Sequence, residues 1–272
     1  MTPRLPVIYV SHGSPTFAVD PGQAGPLLQA VGRRLPQAVK AILVVSPHWM
    51  TAGGMLTTGA EQPETVHDFG GFPDALYQLQ YPAPGHPQWA QAVAERLAQA
   101  GFKTGVHPQR GLDHGAWVPL RYLAPEARVP VLQVSMPHPI TAELAVRMGR
   151  ALAALRDEGV LIVASGSLTH NLYEFRRVGD EAAEYVKEFS AWARAAVQAH
   201  DLESLAHYRE RAPHALRAHP TDEHYWPLVI AMAASDDTDP VEVIDGGISH
   251  GVLSMEGYVL GHLAPHEEEA VA

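Results

Sequence analysis

Hydrophobic and polar positions fall into two rhythms along this chain. Four short runs, Pro6–Val10, Ala41–Val45, Val129–Val134 and Val160–Ala164, are rich in Val, Ile and Leu and lack polar alternation. A strand with one wet face alternates; a run that does not is covered on both faces, as in a mostly parallel sheet. Between these runs the period lengthens. Trp89, Val93 and Leu97 recur every fourth residue, and Leu144, Met148, Leu152 and Leu155 hold one helical face over a longer stretch. Alternating strands and helices predict an α/β fold: a mostly parallel central sheet flanked by helices. Beyond residue 180 the pattern turns helical. Asp180–His200 reads as one long amphipathic helix, and Thr221 and Asp222 read as the cap of another running to Ala234. Val241–Ile244 and Gly251–Leu260 read as late strands near a sheet edge. No composition shift or low-complexity linker divides the chain, so residues 1–272 read as a single domain.

Each of the four runs leads into a serine and then a histidine. The segments are Ser11-His12-Gly13, Ser46-Pro47-His48-Trp49, Ser135-Met136-Pro137-His138 and Ser165-Gly166-Ser167-Leu168-Thr169-His170. Ligands of open α/β sheets bind beyond the carboxyl ends of the strands. Neighbouring strands lie roughly 4.8 Å apart, so two or three such ends can bring imidazoles to one point. There they can reach a single ion at about 2.0–2.2 Å from each nitrogen. Most histidines after strands are plain polar loop residues. Gly13 and Pro47 restrict the backbone beside His12 and His48, which marks those two as functional candidates. The Gly166 loop marks His170, whereas His138, between two prolines, stays open. His114 follows Asp113, an acid that could orient its ring, in Gly111-Leu112-Asp113-His114-Gly115-Ala116-Trp117. His224 follows Glu223 on the first turn of the capped helix. His67, in His67-Asp68-Phe69-Gly70-Gly71-Phe72, has the neighbours of a substrate loop.

Composition narrows the chemistry. The chain has 272 residues, 16 histidines, no cysteine and a formal net charge of −11. Without cysteine there is no disulfide, thiolate metal site or cysteine nucleophile, so any metal must take nitrogen and oxygen ligands. The acidic balance disfavours nucleic acid as a partner. No stretch of about 18 apolar residues suggests a membrane span, and Val7 to Val10 is too short for a secretion leader, so a cytoplasmic protein is expected. The tail His266–Glu269 reads as a solvated end. Phosphate loops, a dinucleotide fingerprint, HExxH and GxSxG are all missing, and neither Ser11 nor Ser46 sits in a nucleophile elbow. A nitrogen-ligated metal centre is therefore better supported than a serine triad.

Five segments taken together, in order along the chain, carry a resemblance. They are Ser11-His12-Gly13-Ser14-Pro15, Ser46-Pro47-His48-Trp49, the Gly111–Trp117 loop, Gly166-Ser167-Leu168-Thr169-His170-Asn171 and His219-Pro220-Thr221-Asp222-Glu223-His224. With the late Leu253-Ser254-Met255 segment, the chain resembles the class III extradiol ring-cleavage dioxygenases, in their 4,5-DOPA branch. The resemblance implies a mononuclear non-haem Fe(II) site that can also hold Zn(II). By position it implies His12, His48 and His224 as ligands, with Glu223 left open as the third. It also implies His170 as the catalytic acid/base and His114 as a second active-site histidine. The implied partners are a catechol and O2, the ring opening to a semialdehyde; a homo-oligomer stays open. Trp49, Phe72, Trp117 and Tyr225 are candidate aromatic walls, and Arg110 a candidate for a substrate carboxylate. Two other readings compete on the same scaffold: a Zn-dependent hydrolase and a non-catalytic metal-binding protein.

Overall fold

The computed structural model describes residues 4–175 and 181–265. Its strands are β1 (Val7–Ser11), β2 (Ala41–Ala52), β3 (Met55–Thr58), β4 (Thr104–His107), β5 (Val131–His138), β6 (Val160–Gly166), β7 (Val241–Ile244), β8 (Ile248–Ser249), β9 (Leu253–Ser254) and β10 (Gly257–Leu260). Eight of them form one sheet in the order β4-β3-β5-β2-β6-β1-β10-β7. The middle four, β5, β2, β6 and β1, run parallel, and they are the four unbroken apolar runs. At the margins β3 lies antiparallel to β5, and β10 antiparallel to β1 and to β7. The fold is α/β with a mostly parallel central sheet, as the hydrophobic pattern predicted.

Those runs are unbroken because both faces of the sheet are covered. Val7, Tyr9, Leu43, Val45 and Ile162 face one core, shared with the helices Pro87–Gln99, Ala142–Leu152, Glu184–Gln198 and Trp226–Ala234. Ile8, Val10, Ile42, Val44 and Val163 face a second core, shared with Ala24–Arg33 and His114–Leu123. Successive strand residues point to opposite faces, so every residue of such a strand is buried. Each large aliphatic side chain removed from water contributes about 1.5–3 kcal/mol before entropy is counted. The helix Trp226–Ala234 is buried at every position, which explains why its sequence carries no polar stripe.

Several elements depart from the pattern-based expectations. β3 and β4, the outermost pair on one side of the sheet, are short, Thr-bearing strands with too little apolar character to register in the sequence. The long helix begins at Glu184 and ends at Gln198; Asp180, its expected start, lies outside the described residues, as does the His266–Glu269 tail. The helix ending at Ala234 begins at Trp226, because residues 222–225 form a separate turn, and Pro227 sits where a missing N–H is harmless. Gly251–Leu260 is divided into β9 and β10. Among the described residues, no helix is long and apolar enough to cross a membrane.

Candidate metal centre and active site

The carboxyl ends of β1, β2 and β6 are neighbours in the sheet, and their histidines meet there. His12 follows β1 and keeps its backbone tied to β6, its N–H donating to the Gly166 carbonyl at 2.9 Å. His48 sits inside β2 where the register with β5 shifts between Val45 and Met50. Pro47 has no N–H to give the ladder, and such an irregularity re-aims a side chain. His224 reaches the site because its turn docks on the end of β6, its carbonyl accepting from Ser167 N at 3.0 Å. An added Cβ on Gly166 would strike that same carbonyl, so only glycine permits the approach.

The ligand atoms of His12, His48 and His224 all lie within 4.8 Å of one another. The Nε2 atoms of His12 and His48 face each other at 3.1 Å. Two nitrogens held at about 2.0–2.2 Å from one ion, at angles between right and tetrahedral, stand about 2.8–3.6 Å apart. The hydrogen bonds behind the rings favour the same use. Ser165 donates its hydroxyl proton to the Gly115 carbonyl, so it accepts from His12 Nδ1 at 3.0 Å and leaves Nε2 with a lone pair. That carbonyl is free because Pro119, four residues on in the helix His114–Leu123, has no N–H to bond it. His224 Nδ1 donates to Glu223 Oε1 at 3.1 Å, and its Nε2 is buried without a partner. An unmade bond of that kind costs about 1–3 kcal/mol, which a cation at this point would offset. Three imidazoles suit Fe, Zn, Cu or Ni, so the donor set fits a non-haem metal and does not name it. Glu223, also accepting from Thr221 Oγ1 at 2.9 Å, supports His224 from behind.

Burial lowers the basicity of the whole group. His12 and His224 are held well below the usual imidazole range, first by burial and then by neighbouring histidines, His48 foremost for His12 and His170 for His224. Burial and the nearby His114 take His48 down to about 3. Burial lowers His170 to about 4, with Glu223 partly opposing, so its ring is neutral at pH 7. The His170 ring stacks on that of His224 at 3.5 Å and 8°.

All five, His12, His48, His114, His170 and His224, line one cavity of about 360 Å³. Phe69, Phe72, Phe175 and Leu253 wall it, making it apolar around a polar floor. His114 opens its helix, capped by Asp113, and its Nδ1 donates to Asp68 Oδ1 at 3.0 Å. Burial alone would raise the Asp68 carboxyl, but its hydrogen bonds with the His114 side chain and backbone hold it at about 2.

The acid orienting His114 is thus Asp68, not its neighbour Asp113. Asp113 caps the helix and accepts from Ser46 Oγ and Gln133 Nε2, each at 2.8 Å. The signal for Asp68 is its place in His67-Asp68-Phe69, where His67 itself bonds the Leu79 carbonyl at 3.0 Å and does not line the cavity. Phe69 was missed among the walls. Of the four aromatic candidates, only Phe72 lines the cavity; Trp117 and Tyr225 are core residues, and Trp49 is buried beneath the Arg110 guanidinium. Arg110 pairs with Asp113 at 3.5 Å and does not line the cavity. His138 is exposed and stands outside the group. Ser11 and Ser46 are buried and donate to the Glu256 carbonyl and to Asp113, which suits structural roles and not nucleophiles.

One substitution tests the packing behind the ligands. A Cβ on Gly115 would collide with Ser46 Oγ and lie 3.1 Å from His48 Cδ2. Gly115→Ala is expected to lose about 1–3 kcal/mol of stability by overpacking, read by denaturant unfolding. It should also weaken zinc binding, since His48 must move.

Comparison with known proteins gives a consistent result. The family described as "Catalytic LigB subunit of aromatic ring-opening dioxygenase" matches residues 6–261. A Beta vulgaris protein named 4,5-DOPA dioxygenase extradiol is 37% identical over 253 residues, covering 92% of this chain and 94% of that one. An Escherichia coli K12 protein of the same name is 39% identical over 266 residues, covering 95% of each. An E. coli 3,4-dihydroxyphenylacetate 2,3-dioxygenase is 26% identical over 199 residues, covering 68% of this chain and 70% of its own. The crystal structure of an uncharacterized E. coli K12 protein superposes with a TM-score of 0.78 at 31% identity, covering 95% of this chain and all of that one.

Proposed function

This chain belongs to the LigB family of aromatic ring-opening dioxygenases, and from that premise we propose that it opens catechols at a metal held by His12, His48 and His224. It is an extradiol-type dioxygenase: O2 and a catechol are its small-molecule partners, and both oxygen atoms enter the ring-opened product. The observation that carries the ligand assignment is the convergence of three imidazoles, with the buried His224 Nε2 lacking any other partner. Fe(II) is the metal we propose for turnover, with Zn(II) as an inactive occupant. The chemistry such an ion supplies is chelation of the two catechol oxygens and electron exchange between the ring and O2.

The chain's own residues do the rest. His170, neutral at pH 7, accepts a proton from the catechol hydroxyl and returns it as the ring opens. Its stacking on His224 keeps that proton transfer next to the bound oxygens. His114, anchored through Nδ1, holds its other nitrogen for substrate or oxygen. Phe69, Phe72 and Phe175 hold the aromatic ring and exclude water. We propose that residues 1–272 work as one catalytic unit, supported by the family match over 6–261. The net charge of −11 supports leaving nucleic acid out of its partners.

The test loads the purified protein anaerobically with Fe(II), then adds air and L-DOPA, catechol, caffeate or protocatechuate. Oxygen uptake matched to a yellow semialdehyde is expected for at least one. No uptake across a broad catechol panel refutes the reading, and ester or amide turnover with Zn(II) in its place would point to a hydrolase.

A further inference from the structure

We propose that Asp68 is a positioning residue that sets the tautomers of His48 and His114 together, aiming one lone pair at the metal site and the other at the substrate. The inference rests on the ligand assignment made above. Asp68 lies in the loop between β3 and the helix Pro87–Gln99, far in sequence from both histidines. Its Oδ1 accepts from the His114 backbone N–H at 2.9 Å and from His114 Nδ1 at 3.0 Å. Its Oδ2 lies 3.7 Å from His48 Nδ1. The two rings sit 4.0 Å apart, so one carboxylate spans both.

An ionised carboxylate only accepts hydrogen bonds. The nitrogen facing it must therefore carry the proton, which makes His114 the Nδ1–H tautomer and leaves its Nε2 with a lone pair. At 3.7 Å the contact with His48 is longer than a hydrogen bond, and there the carboxylate acts through its field. A proton on His48 Nδ1 lies toward the negative charge, and its Nε2 lone pair then faces His12 Nε2 at 3.1 Å. Metal-bound histidines commonly gain orientation and basicity from such a carboxylate behind them. The role matters more here because three imidazoles bring no charge of their own. Asp68 places one negative charge just behind the ligands, where a 2-His-1-carboxylate site would place it among them.

The same residue ties the ligands to the substrate wall. Phe69, next in the chain, meets the His114 ring edge-on at 5.6 Å. The loop is fastened to the segment before His114 by Val66 N donating to the Leu112 carbonyl at 2.8 Å, and by Trp117 Nε1 donating to the Val66 carbonyl at 2.9 Å. Asp68 is thus held by backbone contacts that do not depend on the metal.

Asp68→Asn keeps the shape and replaces one acceptor oxygen by a donor. With Zn(II) as probe in a chelator competition, its affinity is expected to fall about 10–100-fold, with an unchanged melting temperature. In the Fe(II) enzyme kcat should fall while KM for the catechol changes little. Long-range ¹H–¹⁵N correlation of the Zn(II)-loaded wild-type protein should show His48 and His114 both as Nδ1–H tautomers. Wild-type Zn(II) affinity in a folded Asp68→Asn protein overturns the proposal, as does an Nε2–H tautomer at His114 in the wild type. If Asp68→Asn does not fold, the wild-type tautomers decide alone. A His48→Ala protein that keeps its Zn(II) overturns the ligand assignment instead, and the two failures are thereby told apart.

Discussion

His12→Ala and His48→Ala are each expected to yield a folded protein that holds neither zinc nor iron and consumes no O2. His12 and His48 present their Nε2 atoms to each other at 3.1 Å, and both are within ligand distance of His224. Losing one leaves two imidazoles, too few for a tight site in a protein without thiolates. The loss of affinity should exceed about 100-fold, the upper end for residues that only orient a ligand. Metal analysis of dialysed protein, with a melting curve beside it, checks this. His224→Ala should behave alike and removes the unpartnered Nε2. Normal metal content in any of the three would refute the ligand set. The contrast with Glu223→Gln is informative. The amide oxygen can still accept from His224 Nδ1, so the metal should be retained, weakened but not lost.

His170→Phe is expected to give the opposite signature: full metal content with turnover lowered by about 10²–10⁴-fold, the range for a lost general acid–base. Phenylalanine can preserve the stack on His224, now at 3.5 Å, while removing the nitrogen proposed to move the proton. The measurement is kcat by oxygen uptake, against iron content and substrate binding. Loss of metal in place of loss of turnover would make His170 a ligand, and its neighbours Glu223 and His224 could then form a site with it. The lowered basicity of His170 also sets a direction. Burial keeps the free ring neutral down to about pH 4, so lowering the pH from 7 to 6 should not protonate this group.

Much of the fold was legible because burial on both faces leaves a mark in the chain itself. The four central strands are unbroken apolar runs since neighbouring residues enter different cores. β3 and β4 left no such mark, being short strands at the sheet margin. The histidines of the site were legible for a related reason, because strand ends in this architecture point to one edge. Their supports were not. Asp113 is adjacent to His114 and invites the assignment, yet it faces Ser46 and Gln133 while Asp68, 46 residues away, holds the ring. Ser165 stands 153 residues from His12, and its place after a strand gives no sign of which ring it serves. The aromatic walls fared the same way: Trp117 and Tyr225 are buried by the helices that carry them, and Phe69 reaches the cavity only because its loop folds over.

By itself the sequence determined the α/β class, the nitrogen and oxygen character of any metal site, and which histidines lie at strand ends. Those properties are local: they follow from residue type and from spacing along the chain. The tertiary structure alone decided that β1, β2 and β6 are neighbours, that His138 stands apart, and that Glu223 lies behind His224. Strand order and ring orientation arise from contacts between distant segments, such as Ser165 with Gly115 and Asp68 with His114. Such contacts depend on how the layers pack, and no periodicity along the chain encodes them.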